Sequence, residues 1–505
     1  MRLSKLNEVF YRVEGNRNEL LYLKKDLSVF VPGAQYTPSF KNHLWDGKIS
    51  YLDLKNMTVP AGLYGSVYKC CKDFDFPLEV DDEVRKDQTP DASGDLNPFI
   101  SSLSLPFAPR DYQLEQLKTA IERRRGVVSS PTGSGKSLVI YMFIRWCLEN
   151  VPGKIILIVP NVTLVEQMWS DFKSYGWKDV DDFGEQLYSG KKPTFKKRLL
   201  VTTYQSIMRK ERDFFEDYSV LIDDEAHSVK STQLMKIAKF CVNAKYRIGF
   251  TGTIPKEPVD YLNIFGVLGV KIYELKSKNL IEAGVLSDIK VVNLFLDYPD
   301  GIRAIGSSRD YINEVKMVED MPERNQAFSF ILDKLPKGQN TLILINHLEH
   351  LDSVRKWLEE NYSGRFSIHV IQGETDPIVR EGIRQNMEDE KDVLLLATYG
   401  TMSTGVNIKR IHNIVFGAGS KSHIRVLQSI GRGLRLHESK DKLVLWDVVD
   451  DLSRRNAKGR TKLNYMMKHW AERYKIYQEQ GFVCFKKTIP IDVADGGLSE
   501  YICRD

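Results

Sequence analysis

The chain has 505 residues, 42% apolar and 28% charged, which is too long for one core and globular rather than disordered or fibrous in composition. No apolar run reaches the length of a bilayer span, and the opening Met1-Arg2-Leu3-Ser4-Lys5-Leu6 lacks the apolar core of a signal peptide, so a cytoplasmic protein is expected. The six cysteines form no Cys-x-x-Cys pair, which argues against a structural zinc site and for free thiols in a reducing compartment. Net charge is only +5, but it is unevenly spread. Residues 1–72 carry 11 Lys/Arg against 6 Asp/Glu, Asp73–Asp95 carries 9 acids against 2 bases, and residues 453–480 carry 8 bases against 2 acids. The two basic regions are candidates for tracking a phosphate backbone, or are solvated helix faces.

In chain order, residues 1–98 read as a small N-terminal α+β domain, closed by an acidic linker rich in Pro, Gly and Ser from about Asp81 to Pro98. Residues 99–290 alternate apolar runs with helical patterns; the runs include Lys154–Pro160, Leu199–Thr203 and Val220–Asp223. Runs apolar throughout and separated by helices predict a parallel sheet covered on both faces. The grammar restarts in residues 291–455 with Thr341–Ile345, Ser367–Ile371, Val393–Ala397, Asn413–Phe416 and Leu443–Trp446, so two α/β lobes lie in tandem. The stretch from about 298 to 322, with Tyr298-Pro299-Asp300-Gly301, reads as an insertion between the lobes. Residues 456–505 read as a basic, helical extension with aromatics at Tyr465, Trp470, Tyr474 and Tyr477.

The chemistry is concentrated in the first lobe. A short strand, Gly126-Val127-Val128, leads into Ser129-Ser130-Pro131-Thr132-Gly133-Ser134-Gly135-Lys136-Ser137, and a helix is predicted over Leu138–Leu148. Strand, glycine-rich loop and helix together make a phosphate cradle: glycines let successive N–H groups face an anion, and the helix N-terminus adds partial positive charge. Lys136 suits the β and γ phosphates and the Ser137 hydroxyl suits Mg²⁺. Ser130 stands where the strict pattern has its first glycine. Farther on, the apolar run Val220-Leu221-Ile222 ends in Asp223-Asp224-Glu225-Ala226-His227. Carboxylates at a strand's carboxyl end are where an open α/β sheet binds ligand. Asp224 is then placed to hold Mg²⁺ and Glu225 to deprotonate an attacking water.

Pro131–Ser137 and Asp224–His227 resemble motifs I and II of helicase superfamily 2, and further motifs follow in order. Arg110-Asp111-Tyr112-Gln113 resembles the adenine-reading element and Pro160–Leu164 motif Ia. Thr251-Gly252-Thr253 resembles motif III, Ala397–Asn407 motif V, and Gln428–Arg435 motif VI. The resemblance spans roughly residues 105–450. It implies two RecA-like lobes and ATP with Mg²⁺ as cofactors. The ATP-site residues it implies are Arg110, Gln113, Pro131, Thr132, Gly133, Ser134, Gly135, Lys136, Ser137 and Gly405, with Arg432 and Arg435 as arginine fingers. His227, Thr251, Thr253 and Gln428 are implied to couple nucleotide state to motion. Trp45, Lys48, Thr163, Thr203, Gln372, Gly373 and Thr398 are implied to touch nucleic acid. Asn42-His43-Leu44-Trp45-Asp46-Gly47-Lys48, Tyr399–Gly405 and Gly419-Ser420-Lys421-Ser422 are, more narrowly, similar to the phage UvsW-type DNA helicases. That likeness implies branch migration, fork regression, unwinding and annealing on forked, four-way or other branched DNA, in the cytoplasm of a phage's host.

Blander readings stand beside these. Trp45 beside Asp-Gly suits core packing near a turn, and the aromatics of 460–477 suit packing on the preceding lobe. The motifs do not choose between DNA and RNA, so an RNA helicase remains an alternative. So do a motor subunit of a larger DNA-processing complex and a non-enzymatic nucleic-acid scaffold. Retention of Lys136, Asp224, Glu225, Arg432 and Arg435 together argues against the scaffold.

Overall fold

The computed structural model describes residues 1–188, 190–191, 193–227, 232–403, 408–419, 422–455 and 461–493. The chain divides into two compact units: Met1–Ser130 with Gly135–Leu275, and Pro131–Ser134 with Lys276–Asp505. Among the described residues no helix is long and apolar enough to cross a membrane.

In the first unit, β1 (Arg2–Lys5), β2 (Phe10–Glu14), β5 (Thr58–Pro60) and β6 (Glu79–Val80) form a sheet in the order β5-β2-β1-β6. A separate hairpin pairs β3 (Ser28–Phe30) with β4 (Lys48–Ser50). In β2, Tyr11 and Val13 are buried while Arg12 and Glu14 face water, the alternation of a strand covered on one face. The helix Arg17–Asp26 starts at Asn16, which accepts from the Glu19 N–H while Glu19 accepts from the Asn16 N–H.

This small sheet shares a continuous apolar core with the α/β lobe that follows it, running from Leu3, Tyr11 and Val13 through Val59 and Leu63 to Ile264 and Phe265. The Glu8 N–H donates to the Val242 carbonyl at 3.0 Å. The Tyr51 hydroxyl lies within hydrogen-bond distance of the Val259 carbonyl (3.0 Å) and the Asn263 side chain (2.7 Å). Gly62 approaches the Phe265 carbonyl so closely that any Cβ would collide with it. The stretch read as an acidic linker is partly folded. Asp81 pairs with Arg2 at 3.1 Å and Asp87 with Lys5 at 2.9 Å, and the helix Asp82–Gln88 buries Val84. The acidic run therefore neutralises part of the basic N-terminal segment, which explains why the two occur in succession.

The α/β lobe of this unit contains β7 (Arg125–Ser129), β8 (Lys154–Val159), β9 (Gly184–Leu187), β10 (Leu199–Thr203), β11 (Tyr218–Asp224), β12 (Tyr246–Thr251) and β13 (Lys271–Glu274). They form one sheet, every pair parallel, ordered β13-β7-β12-β11-β8-β10-β9. β10 and β12 are buried at every position, as expected of a sheet covered on both sides.

The second unit repeats the architecture with β14 (Asp288–Asp297), β15 (Thr341–Ile345), β16 (Ser367–Ile371), β17 (Val393–Thr398), β18 (Asn413–Phe416) and β19 (Lys442–Asp451). A short hairpin, β20 (Arg454–Arg455) with β21 (Thr461–Lys462), precedes the helix Tyr465–Glu479 and β22 (Val483–Pro490). The sheet runs β16-β17-β15-β18-β19-β14-β22, again all parallel. The two lobes are the tandem RecA-like sheets expected.

Two features differ from the sequence reading. The stretch 298–322 is no insertion between the lobes but part of the second one: it carries the helices Asp300–Gly306 and Tyr311–Glu319, and Tyr298, Ile302, Met317, Val318 and Met321 belong to the second unit's core. The C-terminal extension is more than helical, since β22 pairs along β14 over eight residues. Its helix turns Met466, Met467, Ile476 and Tyr477 inward, and Trp470 donates its indole N–H to Asn293 Oδ1 at 2.8 Å, so the aromatics pack on the lobe.

Candidate active site

The register of the first-unit sheet brings three motifs to one edge. Thr251 at the end of β12 is level with Ser129 at the end of β7, and Phe250 with Asp224 at the end of β11. The phosphate-loop sequence, motif III and the carboxylate run thus emerge side by side at the strands' carboxyl ends.

After Ser129 the chain bends through a loop in which Gly133 (φ 86°) and Gly135 (φ 80°) take left-handed conformations. At Gly135 a Cβ would also collide with the Gln113 side-chain amide. Gln113 is buried, and its Oε1 accepts from the Arg110 N–H at 2.9 Å, so the residue expected to read adenine is fixed beside the loop. Arg110 itself is exposed. The Lys136 ammonium donates to the Ser130 carbonyl at 3.0 Å, and the Ser130 N–H donates to the Thr251 carbonyl at 2.8 Å. Pro131 and Ser134 are buried, while Gly133 is exposed. The Ser137 hydroxyl lies 2.7 Å from that of Tyr175. Tyr175, 38 residues away, belongs to no motif and was missed by sequence reasoning; burial pushes its phenol up to about 12, so it serves as a neutral hydrogen-bonding partner.

At the end of β11, Asp223 and Asp224 are buried. Burial raises the Asp223 carboxyl well above the usual range, with Asp224 and Glu225 adding to the effect. Asp224 is pushed up to about 7, by burial first and the Glu225 charge second, against the opposing charge of Lys136. Glu225 holds φ at 62°, an uncommon conformation for a residue with a side chain and a kind of strain concentrated at functional sites. Its carboxylate lies 3.1 Å from His227 Nδ1, and that nitrogen is also 3.0 Å from the Thr251 hydroxyl. Thr251 Oγ1 in turn accepts from the Thr253 N–H at 3.2 Å. A chain of contacts therefore runs from Glu225 through His227 to both threonines of motif III.

Crowded, buried carboxyl groups beside a left-handed glycine loop and a lysine fit a polyphosphate with a divalent cation. Residues able to hold that pair are Lys136, Ser137 and Asp224. The electrostatics also carry a stability consequence. Because the folded state holds the Asp224 proton up to about pH 7, this group's contribution is present at low pH and is lost as pH rises through 7. Asp224→Asn is therefore expected to raise the melting temperature of the nucleotide-free protein more at pH 8 than at pH 6, by roughly 2–4 °C per kcal/mol relieved. An equal shift at both pH values in a thermal melt would contradict the assignment.

The other expected site residues are scattered. Thr163 is exposed in the first turn of the helix Val162–Ser174, whose start Asn161 caps by accepting from the Leu164 N–H at 2.9 Å. Thr203 is buried, its hydroxyl 3.0 Å from that of Ser206. In the second unit Thr398 is half-buried and bonds the Thr401 hydroxyl at 2.8 Å. Gln372 is half-buried and Gly373 exposed just beyond β16. Gln428 and Arg432 lie on the helix His423–Gly433 and Arg435 just after it, all half-buried. Thr132 is half-buried in the phosphate loop. Gly405 lies outside the described residues. Trp45 is half-buried with its indole N–H donated to the Lys48 carbonyl at 2.7 Å, while the Lys48 side chain is exposed.

Comparison with known proteins completes the picture. Residues 6–81 match the family described as "DNA helicase UvsW, N-terminal", residues 106–256 "Type III restriction enzyme, res subunit", and residues 324–437 "Helicase conserved C-terminal domain". The ATP-dependent DNA helicase uvsW of Enterobacteria phage T4 is 27% identical over 492 residues, covering 95% of this chain and 97% of that one. The chain is an ATP-dependent DNA helicase that resembles the phage UvsW enzymes. The crystal structure of T4 UvsW shares the helicase's fold, with a TM-score of 0.51 at 24% identity over 97% of this chain and 99% of that one. A DNA 3'-5' translocase, XPB2 of Sulfurisphaera tokodaii, is 24% identical over 388 residues, covering 68% of this helicase and 83% of its own length. ATP use follows from these likenesses.

Proposed function

We propose that this helicase uses ATP and Mg²⁺ to remodel branched DNA, moving junctions and regressing forks. The observation that carries the reading is the small N-terminal sheet: it matches a UvsW-specific family over residues 6–81 and is packed into the same core as the first motor lobe. A bare translocase needs only the two lobes, so a rigidly attached extra element supports a substrate with more than one arm.

Bound ATP with Mg²⁺ supplies the reactive phosphate and shields its charge. In this reading Gly133, Gly135 and Lys136 hold the phosphates, Gln113 contacts the adenine, and Ser137 and Asp224 hold the metal. Glu225 takes the proton of the attacking water. His227, Thr251, Thr253 and Gln428 relay the state of the site, and Arg432 and Arg435 act as arginine fingers. Thr163, Thr398, Gln372 and Gly373 contact the strand backbone, contacts that carry no sequence information and so suit a motor. Thr203, buried with its hydroxyl engaged, is better suited to support the neighbouring turn than to meet a phosphate.

The test is steady-state ATPase with no polymer, single-stranded DNA, duplex DNA, a four-way junction and RNA, with Lys136→Ala as the blank. Strongest stimulation by the junction and near-background turnover of Lys136→Ala are expected. Stimulation by RNA alone would overturn the substrate, and equal stimulation by linear and branched DNA would remove the branched specificity.

A further inference from the structure

Gly419 opens the run Gly419-Ser420-Lys421-Ser422, between β18 and the helix His423–Gly433 that carries Gln428 and Arg432. It is not among the residues of positive φ, so backbone conformation does not call for glycine there. Space does. A Cβ on Gly419 would lie 2.8 Å from Arg473 Nη1 and 3.4 Å from Nη2. Arg473 comes from the helix Tyr465–Glu479 of the C-terminal extension and is 1% exposed.

A flexible arginine tip would swing aside, but this one is fixed. Its Nε and Nη2 donate to the two carboxylate oxygens of Asp447 on β19 at 2.9 and 2.8 Å, the fork geometry that holds a guanidinium most firmly. The helix that presents it is fixed in turn. Buried Glu314 accepts from the Tyr465 and Met466 N–H groups at 3.0 Å each and from the Asn464 amide at 2.9 Å, which satisfies the helix start. Beyond its other end the chain enters β22, paired along β14.

The loop is also held from two other elements. The buried Tyr399 hydroxyl donates to the Ala418 carbonyl at 2.9 Å, and the Asn346 amide, just after β15, donates to the Gly419 carbonyl at 3.3 Å. Such single hydrogen bonds can follow a small displacement of the loop. A guanidinium locked to Asp447 and already touching Gly419 cannot, because repulsion at contact is steep. Only Ser420 and Lys421 separate Gly419 from Ser422, whose hydroxyl accepts from the Arg425 N–H at 3.4 Å at the start of the next helix. A shift at Gly419 therefore has little chain in which to dissipate before it reaches that helix.

We propose that Arg473 is a positioning residue for ATP hydrolysis: held by Asp447 against Gly419, it is the stop that sets where the helix carrying Gln428 and Arg432 begins. The C-terminal extension is then a working part of the motor. This inference rests on the reading of Arg432 as an arginine finger, and it adds the support that places that residue.

The test uses full-length protein and measures kcat and KM for ATP at saturating DNA, Kd for a fluorescent ATP analogue, and the urea midpoint. Gly419→Ala is expected to lower kcat by about 10–100-fold, the scale of a catalytic group misplaced by an ångström, with Kd little changed. Arg473→Lys, which keeps the charge but loses the fork, is also expected to lower kcat. The double variant is expected to lose no more than the worse single one, since a lysine has no Nη1 for the new methyl to meet and both changes act on one contact. Tyr298→Phe, which takes one hydrogen bond from the separate buried pair Arg324–Asp450, is expected to lower the urea midpoint with kcat unchanged. Losses that multiply in the double variant would overturn the proposal, as would a matching fall in kcat for Tyr298→Phe or normal kcat in Gly419→Ala. If Gly419→Ala does not fold, Arg473→Lys decides alone, by a loss of kcat at normal Kd or by its absence. Wild-type turnover in Arg432→Ala would instead defeat the arginine-finger reading itself.

Discussion

Glu225→Gln is expected to bind nucleotide normally while losing about 10²–10⁴-fold in DNA-stimulated turnover, the usual contribution of a general base. The substitution keeps the side chain's size and its hydrogen-bonding reach but removes its ability to take a proton. Glu225 also holds an unfavourable φ of 62° at the end of β11, where local preference alone would select glycine or asparagine. Its carboxylate is 3.1 Å from His227, so the variant tests base and relay together. Measured as kcat with saturating single-stranded DNA and as Kd for a fluorescent ATP analogue, the expected signature is a large loss in the first with little change in the second. Comparable losses in both would make Glu225 a binding residue, and retained turnover would remove it from the chemistry altogether.

The second large effect is one of stability. β19 carries two buried aspartates, each held by an arginine and a tyrosine from elsewhere in the second unit. Asp447 accepts from Arg473 Nε at 2.9 Å, from Nη2 at 2.8 Å and from the Tyr477 hydroxyl at 2.8 Å. Asp450 accepts from Arg324 at 2.8 and 3.0 Å and from the Tyr298 hydroxyl at 2.7 Å. Both side chains of the Asp447–Arg473 pair are about 1% exposed or less. Replacing one partner strands the other's charge without water, so Arg473→Leu is expected to destabilise by about 3–5 kcal/mol in urea unfolding. The double variant Asp447→Leu with Arg473→Leu is expected to recover a substantial part of that loss, since no buried charge remains unpaired. A double variant as unstable as the sum of its two singles would show that packing, not charge, dominates there.

The lobes were legible because parallel strands buried on both faces must be written as unbroken apolar runs. Lys154–Val159, Leu199–Thr203 and Val393–Thr398 stand out for that reason. The phosphate loop and carboxylate run were legible because their chemistry is local: adjacent residues do adjacent work. What the sequence hides is long-range pairing. Asp447 and Arg473 are 26 residues apart with no motif linking them, and Tyr175 reaches Ser137 across 38. β22 reads poorly as a strand because it lies on the sheet's edge, where Lys486 and Lys487 are exposed and the apolar signal is diluted. The acidic stretch resembles a linker because its order comes from charges on β1, which composition cannot reveal.

The pairing of β22 along β14 also bears on how the protein comes to be made. Lys290 is level with Val483, so β14 waits for a partner 483 − 290 = 193 residues downstream. Translation delivers the first unit's strands long before that partner leaves the ribosome; both edges of β14 stay open until β19 is made, and the eight residues that β22 will cover stay open longest. Closing a loop of that length costs little more entropy than closing one half as long, so the delay is kinetic rather than thermodynamic. A nascent second lobe therefore passes through a stage with an unpaired strand edge, and once β22 has closed the sheet its exposed Lys486 and Lys487 guard the outer edge against pairing with neighbouring chains.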